Sequence, residues 1–399
     1  MISVIVYGRN DSHGYNSHRR AALSLNAIAE VLSDDGDEIL FADFNTPDDM
    51  PTFPEAVADT LTSRARARIR VLRIRPAIAE PMRRGSRLQV IEPAARNIAV
   101  RRMRPANRWI LSTNPDMIVV PRVEGRSLSD VARELPDGFY ELPRFELPAP
   151  LWESLDRTDP REAIRKLRRW GKRFHLNEVV TRHPSYLFDA PGDFQLILRD
   201  QFCEVDGFDE RMVRGWHVDA NLARRLWMLN GETSSLLDHF FGYHCDHTLH
   251  AGVMHGAGVG ENDYRRFFWE VREPRIPEQR ERWGLPDREI EEIRIDGSQA
   301  GFATSLEALV PGMREDTIAT HLAPKTGNRR VLYDVDHAFP YLASHFASIP
   351  PESTIGYVGN NTELIDRLLE FLAARGFKGR VLALDEMHRF SPGPVSYTH

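Results

Sequence analysis

The sequence predicts an α/β fold in which a mainly parallel sheet is flanked by helices. Strand-like and helix-like segments alternate through residues 1–120, and short polar clusters follow three of the four strand-like segments there. Strands that alternate with helices form parallel sheets with right-handed crossovers. Ligands of such sheets bind beyond the carboxyl ends of the strands. The clusters therefore predict a binding site at that edge.

Each element of the first half follows from its local pattern. Short apolar runs predict strands at 3–7, 38–42, 69–74 and 109–112. Apolar residues at helical spacing predict helices at 19–32, 53–62 and 93–102.

Residues 125–190 are less regular. They are predicted to contain a serine-capped helix at 127–135, an extended proline-rich segment at 143–150 and a basic amphipathic helix at 161–170. Regular structure resumes with a predicted strand at 194–199 and a predicted helix at 220–230. A strand, a helix and a strand at 354–358, 362–375 and 380–384 predict a second, small α/β unit.

A length of 399 residues suits two to three domains. We expect one domain at 1–285, with a nucleotide-binding half at about 1–124 and an acceptor half at about 190–255. The remainder, 286–399, is expected to be a C-terminal α/β region, either an incomplete domain or one that docks on the first.

Composition excludes several classes of protein. The chain is 42% hydrophobic and 28% charged, which is normal for a globular protein and excludes a disordered or collagen-like one. No apolar stretch approaches the ~20 residues that a membrane span needs. The net charge of -6 disfavours a general nucleic-acid binder, and the two cysteines suit a reducing compartment. We expect a cytoplasmic protein whose contact with a membrane, if any, is peripheral, at the inner face.

Arginine dominates the basic residues, since only four of the 52 are lysine. Between Arg64 and Arg108 there are 14 arginines against two acids, Glu80 and Glu92. This excess is compatible with a composition bias and a solvated face, or with a surface that binds phosphates or anionic lipid.

Three polar clusters follow the predicted strands: residues 9–11, residues 43–45 and residues 114–116. The last of them, Asn114-Pro115-Asp116, offers an amide and a carboxylate oxygen, which suit Mg²⁺ or Mn²⁺, although the same tripeptide is a common turn.

Two further features carry candidate chemistry. His244 and His247 are spaced like metal ligands, or are hydrogen-bonded histidines of a loop. Asp219 lies at a predicted helix start, where it is either an N-cap or a general base.

Read together, these residues resemble the family 2-type glycosyltransferases of the GT-A fold. The opening strand with its loop, Asp43, Ala95-Arg96-Asn97 and the strand 109–116 match in the family's order. The segments 205–210 and 215–226 resemble the galactosyltransferase-like pattern "G-G-F-D-E … G-W-G-x-E-D", which is the most specific element. The likeness covers about residues 1–255.

The resemblance implies a role for each matched position. Nucleotide contacts fall on Tyr7, Gly8, Arg9, Asp11, Asp43, Asn45, Arg96 and Asn114. It implies Asp116 with His244 or His247 as metal ligands, Asp219 as the catalytic base, and Trp216 and His217 as acceptor contacts.

Two departures weaken the match. Asn114 replaces the first aspartate of the family's Asp-x-Asp motif, so the metal is expected to be bound less tightly or to be dispensable. Val218 replaces the acid before Asp219.

The expected activity is inverting transfer of a sugar from a nucleotide-sugar, with UDP as the expected nucleotide, to a carbohydrate or lipid-linked acceptor in cell-surface polysaccharide or glycolipid synthesis. The expected cofactor is a divalent cation, Mn²⁺ or Mg²⁺, and no nucleic-acid partner is expected. The alternatives are a nucleotide-sugar-binding protein without transferase activity and a methyltransferase-like Rossmann protein.

Overall fold

The computed structural model describes residues 1–10, 17–86, 88–173, 176, 192–215, 217–246, 270–295, 349–358 and 362–384. Its strands are β1 (Ile2–Gly8), β2 (Glu38–Phe44), β3 (Ile69–Ile74), β4 (Trp109–Thr113), β5 (Met117–Pro121), β6 (Phe139–Glu141), β7 (Arg144–Leu147), β8 (Phe194–Leu198), β9 (Ser234–Ser235), β10 (Phe240–Cys245), β11 (Glu291–Arg294), β12 (Thr354–Val358) and β13 (Arg380–Leu384).

The helices are α1 (Ser17–Val31), α2 (Phe53–Ala56), α3 (Ser63–Arg68), α4 (Pro76–Met82), α5 (Glu92–Arg101), α6 (Leu128–Glu134), α7 (Ala149–Glu153), α8 (Pro160–Arg173), α9 (Arg199–Glu204), α10 (Val218–Asn230) and α11 (Thr362–Ala374). Single 3₁₀ turns lie at Ala58–Thr60 and Pro277–Gln279.

The central sheet has the order β11-β3-β2-β1-β4-β8-β6-β9. Its strands β3, β2, β1 and β4 are parallel, as the alternation of strands and helices predicts. Beyond β4 the direction reverses, because β8 is antiparallel to β4. In a second sheet, β5-β10-β7, the strand β10 carries His244 and lies between β5, which begins just after Asp116, and β7.

The core lies on both faces of the central sheet. Along β1, Val4 and Val6 point to one face and pack with Leu25 of α1. Ile5 points to the other face and packs with Ile98 of α5. Alternate side chains of one strand thus feed two hydrophobic clusters, as expected for a strand buried on both faces.

The predicted α/β class with a mainly parallel sheet and flanking helices is confirmed. The structure differs within 53–62, where the predicted single helix is broken into α2 and a 3₁₀ turn. A new helix starts afterwards, because Thr62 is extended and its side chain accepts the Ala65 N–H. Within 143–150, the extended β7 is followed at Ala149 by α7.

The described residues up to 295 form one compact unit, and those from 349 onward belong to a second. Strand β11, at Glu291–Arg294, joins the sheet of the first unit, so that unit continues past residue 285. In the second unit β12 and β13 are parallel, and α11 connects them in sequence. Among the described residues, no helix has the length and apolar character to cross a membrane.

Candidate functional site

The polar clusters after β1 and β2 meet at one edge of the central sheet. The Asn10 backbone N–H donates to Thr46 Oγ1 at 2.9 Å. Gln89, which precedes α5, accepts from Arg9 Nη1 at 3.2 Å through its side chain and from Asn45 Nδ2 at 3.0 Å through its backbone carbonyl. The parallel pairing of β1 with β2 therefore brings two of the predicted clusters together.

Gly8 ends β1 in a place too narrow for a side chain. A Cβ there would lie 2.9 Å from the ring of Phe41. The preceding residue, Tyr7, is buried against Arg96, whose guanidinium carbon lies 4.7 Å from the ring centre. Burial and the nearby Glu92 carboxylate raise the pKa of the Tyr7 phenol well above its usual range.

Asp43, at the end of β2, is completely buried. Its Oδ1 accepts the backbone N–H of Phe53 at 2.8 Å, at the start of α2. Burial raises the pKa of Asp43 to about 7, against the lowering effect of that bond and of Arg73. The ionised form of Asp43 is therefore energetically unfavourable in the folded protein.

Arg96 binds the end of β4 and the first residue of the polar cluster 114–116. Its buried guanidinium donates to Ser112 Oγ at 2.5 Å, to the Thr113 carbonyl at 3.0 Å and to Asn114 Oδ1 at 2.7 Å, and it pairs with Glu92 at 3.0 Å. Helix α5 therefore fixes the chain just after β4 through a single side chain.

Asn114 spans the gap between β4 and β8. Its amide nitrogen donates to Asp193 Oδ1 at 2.8 Å, and its oxygen accepts from Arg96. The antiparallel register pairs Thr113 with Phe194, which makes Asn114 and Asp193 neighbours although they are far apart in sequence. Arg144 Nη1 lies 3.2 Å from the other oxygen of Asp193.

Asp116, Asp193 and His244 form a buried group of metal-type donors. One ligand atom from each lies within 4.8 Å of the others. Two carboxylates and one imidazole are a donor set that suits Mn²⁺ and related divalent cations, so these residues fit the expected cofactor. His244 Nδ1 meets Glu146 Oε2 at 2.8 Å, and such an outer carboxylate fixes the orientation of a ligating imidazole.

Positively charged side chains also lie against the carboxylate of Asp116. Arg20 Nη1 lies 2.5 Å from Asp116 Oδ2, and His244 Nε2 lies 3.4 Å from the same oxygen. Burial opposes the charged form of His244, but Asp116 and Glu146 outweigh it and raise the pKa of the imidazole well above its usual range. Burial likewise opposes the ionised form of Glu146, whereas His244 and Arg144 lower its pKa.

Asp219 lies in the first turn of α10, beside the start of β8. Its Oδ2 accepts the Gly192 N–H at 2.7 Å, and Gln195 Nε2 donates to its carbonyl at 3.2 Å. A Cβ at Gly192 would lie 2.7 Å from the Asp219 Cβ, so glycine permits this approach. Burial raises the pKa of Glu92, Arg96 opposes that shift, and the Asp219 charge adds to it.

His217 precedes α10 with left-handed backbone (φ 61°). A non-glycine residue in this region is uncommon, and such strain concentrates at functional sites. Three predicted site residues, Asp11, Trp216 and His247, lie outside the described residues.

Two residues of the matched motifs, Asn97 and Arg225, hold the 205–210 turn in place by hydrogen bonds. Asn97 accepts the Phe208 N–H at 2.8 Å and donates to the Phe208 carbonyl and to Glu210, both at 2.9 Å. Arg225 donates to the carbonyls of Val205 and Gly207 at 2.6 and 2.7 Å. These bonds tie α5 and α10 to the 205–210 turn.

Most of the functional candidates that sequence reasoning missed are charged residues from distant elements: Arg20, Glu92, Arg144, Glu146 and Asp193. Asp193 directly precedes the predicted strand 194–199. The rule that ligands bind at the carboxyl ends of parallel strands does not find it, because an antiparallel strand brings its amino end to the same edge.

Many of the described arginines of 64–108 are half-buried and bond to other segments of the protein. Several donate to backbone carbonyls of other segments: Arg64, Arg68, Arg73, Arg101, Arg102 and Arg104. Others pair with acids, as Arg70 does with Glu38 and Glu292. Arginine in this region therefore connects segments of the fold, a use that neither sequence interpretation predicted.

No family model and no curated protein matches this chain. Among solved structures, it is similar to a mannosyltransferase, PcManGT from Pyrobaculum calidifontis in complex with GDP-Man and Mn²⁺, at 12% identity and a TM-score of 0.38, over 94% of this chain and 87% of that one.

It is also similar to the galactosyltransferase LgtC in complex with donor and acceptor sugar analogs, at 10% identity and a TM-score of 0.31, over 58% and 72% of the two chains. An active-site mutant of LgtC matches at 11% identity and a TM-score of 0.24, over 35% of this chain and less than half (45%) of that one. At these levels the likenesses identify neither an activity nor a substrate for this chain.

Proposed function

We propose that this protein is a glycosyltransferase that moves a sugar from a nucleotide-sugar to a hydroxyl acceptor. One observation carries the proposal. The adjacent residues Gly192 and Asp193 connect a metal-type cluster to a candidate base, because Asp193 joins Asp116 and His244 while the Gly192 N–H holds Asp219. The segment 192–193 thus contacts both a candidate site for the cation that would bind a diphosphate and a candidate acceptor for the proton of a hydroxyl.

Each residue has a distinct task in this reaction. Asp116, Asp193 and His244 would hold the cation, which when bound neutralises the charge that develops on a diphosphate leaving group. Asp219 accepts the proton of the acceptor hydroxyl, whose oxygen bonds to the anomeric carbon as the bond from that carbon to the phosphate oxygen breaks. The Gly192 N–H orients the Asp219 carboxylate, and Glu146 orients His244.

The finer parts of the proposal rest on the motif resemblance. They are UDP as the nucleotide, inversion through a single displacement, and a carbohydrate or lipid-linked acceptor in cell-surface polysaccharide or glycolipid synthesis. Tyr7, Gly8, Arg9, Asn45 and Arg96 lie at the sheet edge where the nucleotide would bind.

The test is a thermal-shift screen of nucleotide-sugars with and without Mn²⁺, because a ligand that binds only the folded state raises the melting temperature. We expect a UDP-sugar to give the largest shift and Mn²⁺ to increase it. The stabilising donor is then incubated with acceptor sugars, and release of the nucleoside diphosphate is measured. Binding without release would favour a nucleotide-sugar-binding protein instead.

A further inference from the structure

Asn114 lies between a positively charged side chain, Arg96, and a negatively charged one, Asp193. Arg96 presents only N–H donors to it, and Asp193 presents a carboxylate, which only accepts when ionised. A residue between them must accept on one side and donate on the other. An amide does both, and its orientation is then fixed. An aspartate at 114 would instead place two carboxylates in contact.

Asp193 is held from several directions. Its Oδ1 accepts a hydrogen bond from Asn114, and its Oδ2 accepts one from Arg144. Its backbone carbonyl accepts from the Thr113 hydroxyl, and the residue is only 4% exposed. Carboxylate oxygens have lone pairs beyond those that these donors use. Asp193 therefore still offers a ligand atom within 4.8 Å of those of Asp116 and His244.

We propose that Asp193 supplies the metal-binding carboxylate that position 114 lacks, and that Asn114 is a positioning residue which holds Asp193 in place. The proposal rests on the glycosyltransferase function proposed above only in assuming that the cluster takes a divalent cation. The amide at 114 is then the hydrogen-bond partner of the carboxylate at 193.

The test is titration of the purified protein with Mn²⁺ in the absence of nucleotide, followed by the electron paramagnetic resonance signal of free Mn²⁺. Asp193→Asn should weaken Mn²⁺ binding by about tenfold or more, the usual effect of losing a ligand or its support. Asn114→Asp should also weaken it about tenfold although it adds a negative charge. The double variant Asn114→Asp/Asp193→Asn should restore most of the affinity, since the donor and acceptor order is kept.

Asp200→Asn, which removes an exposed acid on α9, is the matched control and should bind Mn²⁺ as the unaltered protein does. The proposal is overturned if Asn114→Asp binds Mn²⁺ as tightly or more tightly, if the double variant does not recover, or if the unaltered protein binds no Mn²⁺. Because no sugar donor is present, these outcomes are separate from the transfer assay. The expected Mn²⁺ pattern without any transfer would support Asp193 and count against the enzyme function.

Discussion

Arg20 of α1 and Asp116, which follows β4, form a buried ion pair with Nη1 2.5 Å from Oδ2. Both side chains are at most 10% exposed. The guanidinium occupies the same carboxylate oxygen that His244 approaches. A divalent cation on Asp116 would have to share that carboxylate with Arg20, so we expect the stability of the fold to depend on metal binding at this pair.

Arg20→Met should lower the stability of the metal-free protein and increase its response to Mn²⁺. Removing one partner of a buried ion pair costs about 3–5 kcal/mol, because the other charge stays buried. Mn²⁺ would then supply the missing positive charge, so the rise in melting temperature between EDTA and Mn²⁺ should exceed that of the unaltered protein.

Arg70→Met is the control, since Arg70 also pairs with a buried acid, Glu38, at 2.7 Å. It should lower the melting temperature without changing the response to Mn²⁺. An Arg20→Met protein whose response to Mn²⁺ is no larger than that of the unaltered protein would contradict this account.

Asp43→Asn should remove a pH dependence of stability. The pKa of Asp43 is raised to about 7 in the folded state, from 3.8. The stability is therefore full below about pH 4 and falls as the pH rises through 7, because ionisation in the buried site is unfavourable. Neighbouring Arg73 and Glu55 lower and raise this pKa respectively. A shift of about three units corresponds to roughly 4 kcal/mol at most.

The measurement is chemical denaturation at pH 5 and pH 8. Asp43→Asn should be more stable than the unaltered protein at pH 8, and the difference should shrink at pH 5. If the variant also binds the UDP-sugar more weakly, the cost of burying Asp43 serves nucleotide binding. A variant that is less stable at pH 8 would show that the carboxylate contributes net stability.

The parallel part of the central sheet could be predicted from sequence because its signals are local. Apolar runs predict strands such as 109–112, and the polar residues that follow three of the four strands mark the edge at which a ligand site is expected. Asp193 and Arg20 could not be predicted in this way. Asp193 reaches the site only because β8 pairs antiparallel with β4, and Arg20 does so because α1 packs against β5, which begins next to Asp116. Neither relationship leaves a pattern within one segment.

Asn97→Ala should destabilise the fold by about 2–4 kcal/mol, because it leaves the buried N–H of Phe208 and the Glu210 carboxylate without this partner. The urea midpoint measures the loss. Asn230→Ala serves as a comparison, because Asn230 is a half-buried asparagine at the end of α10 that is bonded to Gln201. It should cost less than 1.5 kcal/mol, about one ordinary hydrogen bond. Equal losses in the two variants would remove any special role of Asn97 in connecting α5 to the 205–210 turn.

His217 allows its backbone conformation and its side chain to be tested separately. His217→Gly relieves the left-handed backbone and should raise the stability by about 1 kcal/mol, whereas His217→Ala keeps the strain. Both variants should raise the KM for the acceptor and leave the KM for the donor unchanged, if the imidazole contacts the acceptor. An unchanged acceptor KM in both variants would mean that only the backbone conformation matters.

Asp219→Asn tests the proposed base with little change of shape. The amide oxygen can still accept the Gly192 N–H, which lies 2.7 Å from Asp219 Oδ2, so the start of α10 should stay in place. It cannot take a proton from the acceptor hydroxyl, so transfer should fall by about 10²–10⁴-fold. The thermal shift produced by the donor should be retained, because Asp219 is not among the proposed cation ligands. Glu92→Gln provides the comparison, as it removes a second nearby carboxylate. If Glu92→Gln abolishes transfer while Asp219→Asn turns over normally, the base is Glu92, and Asp219 is only the acidic residue of the first turn of α10.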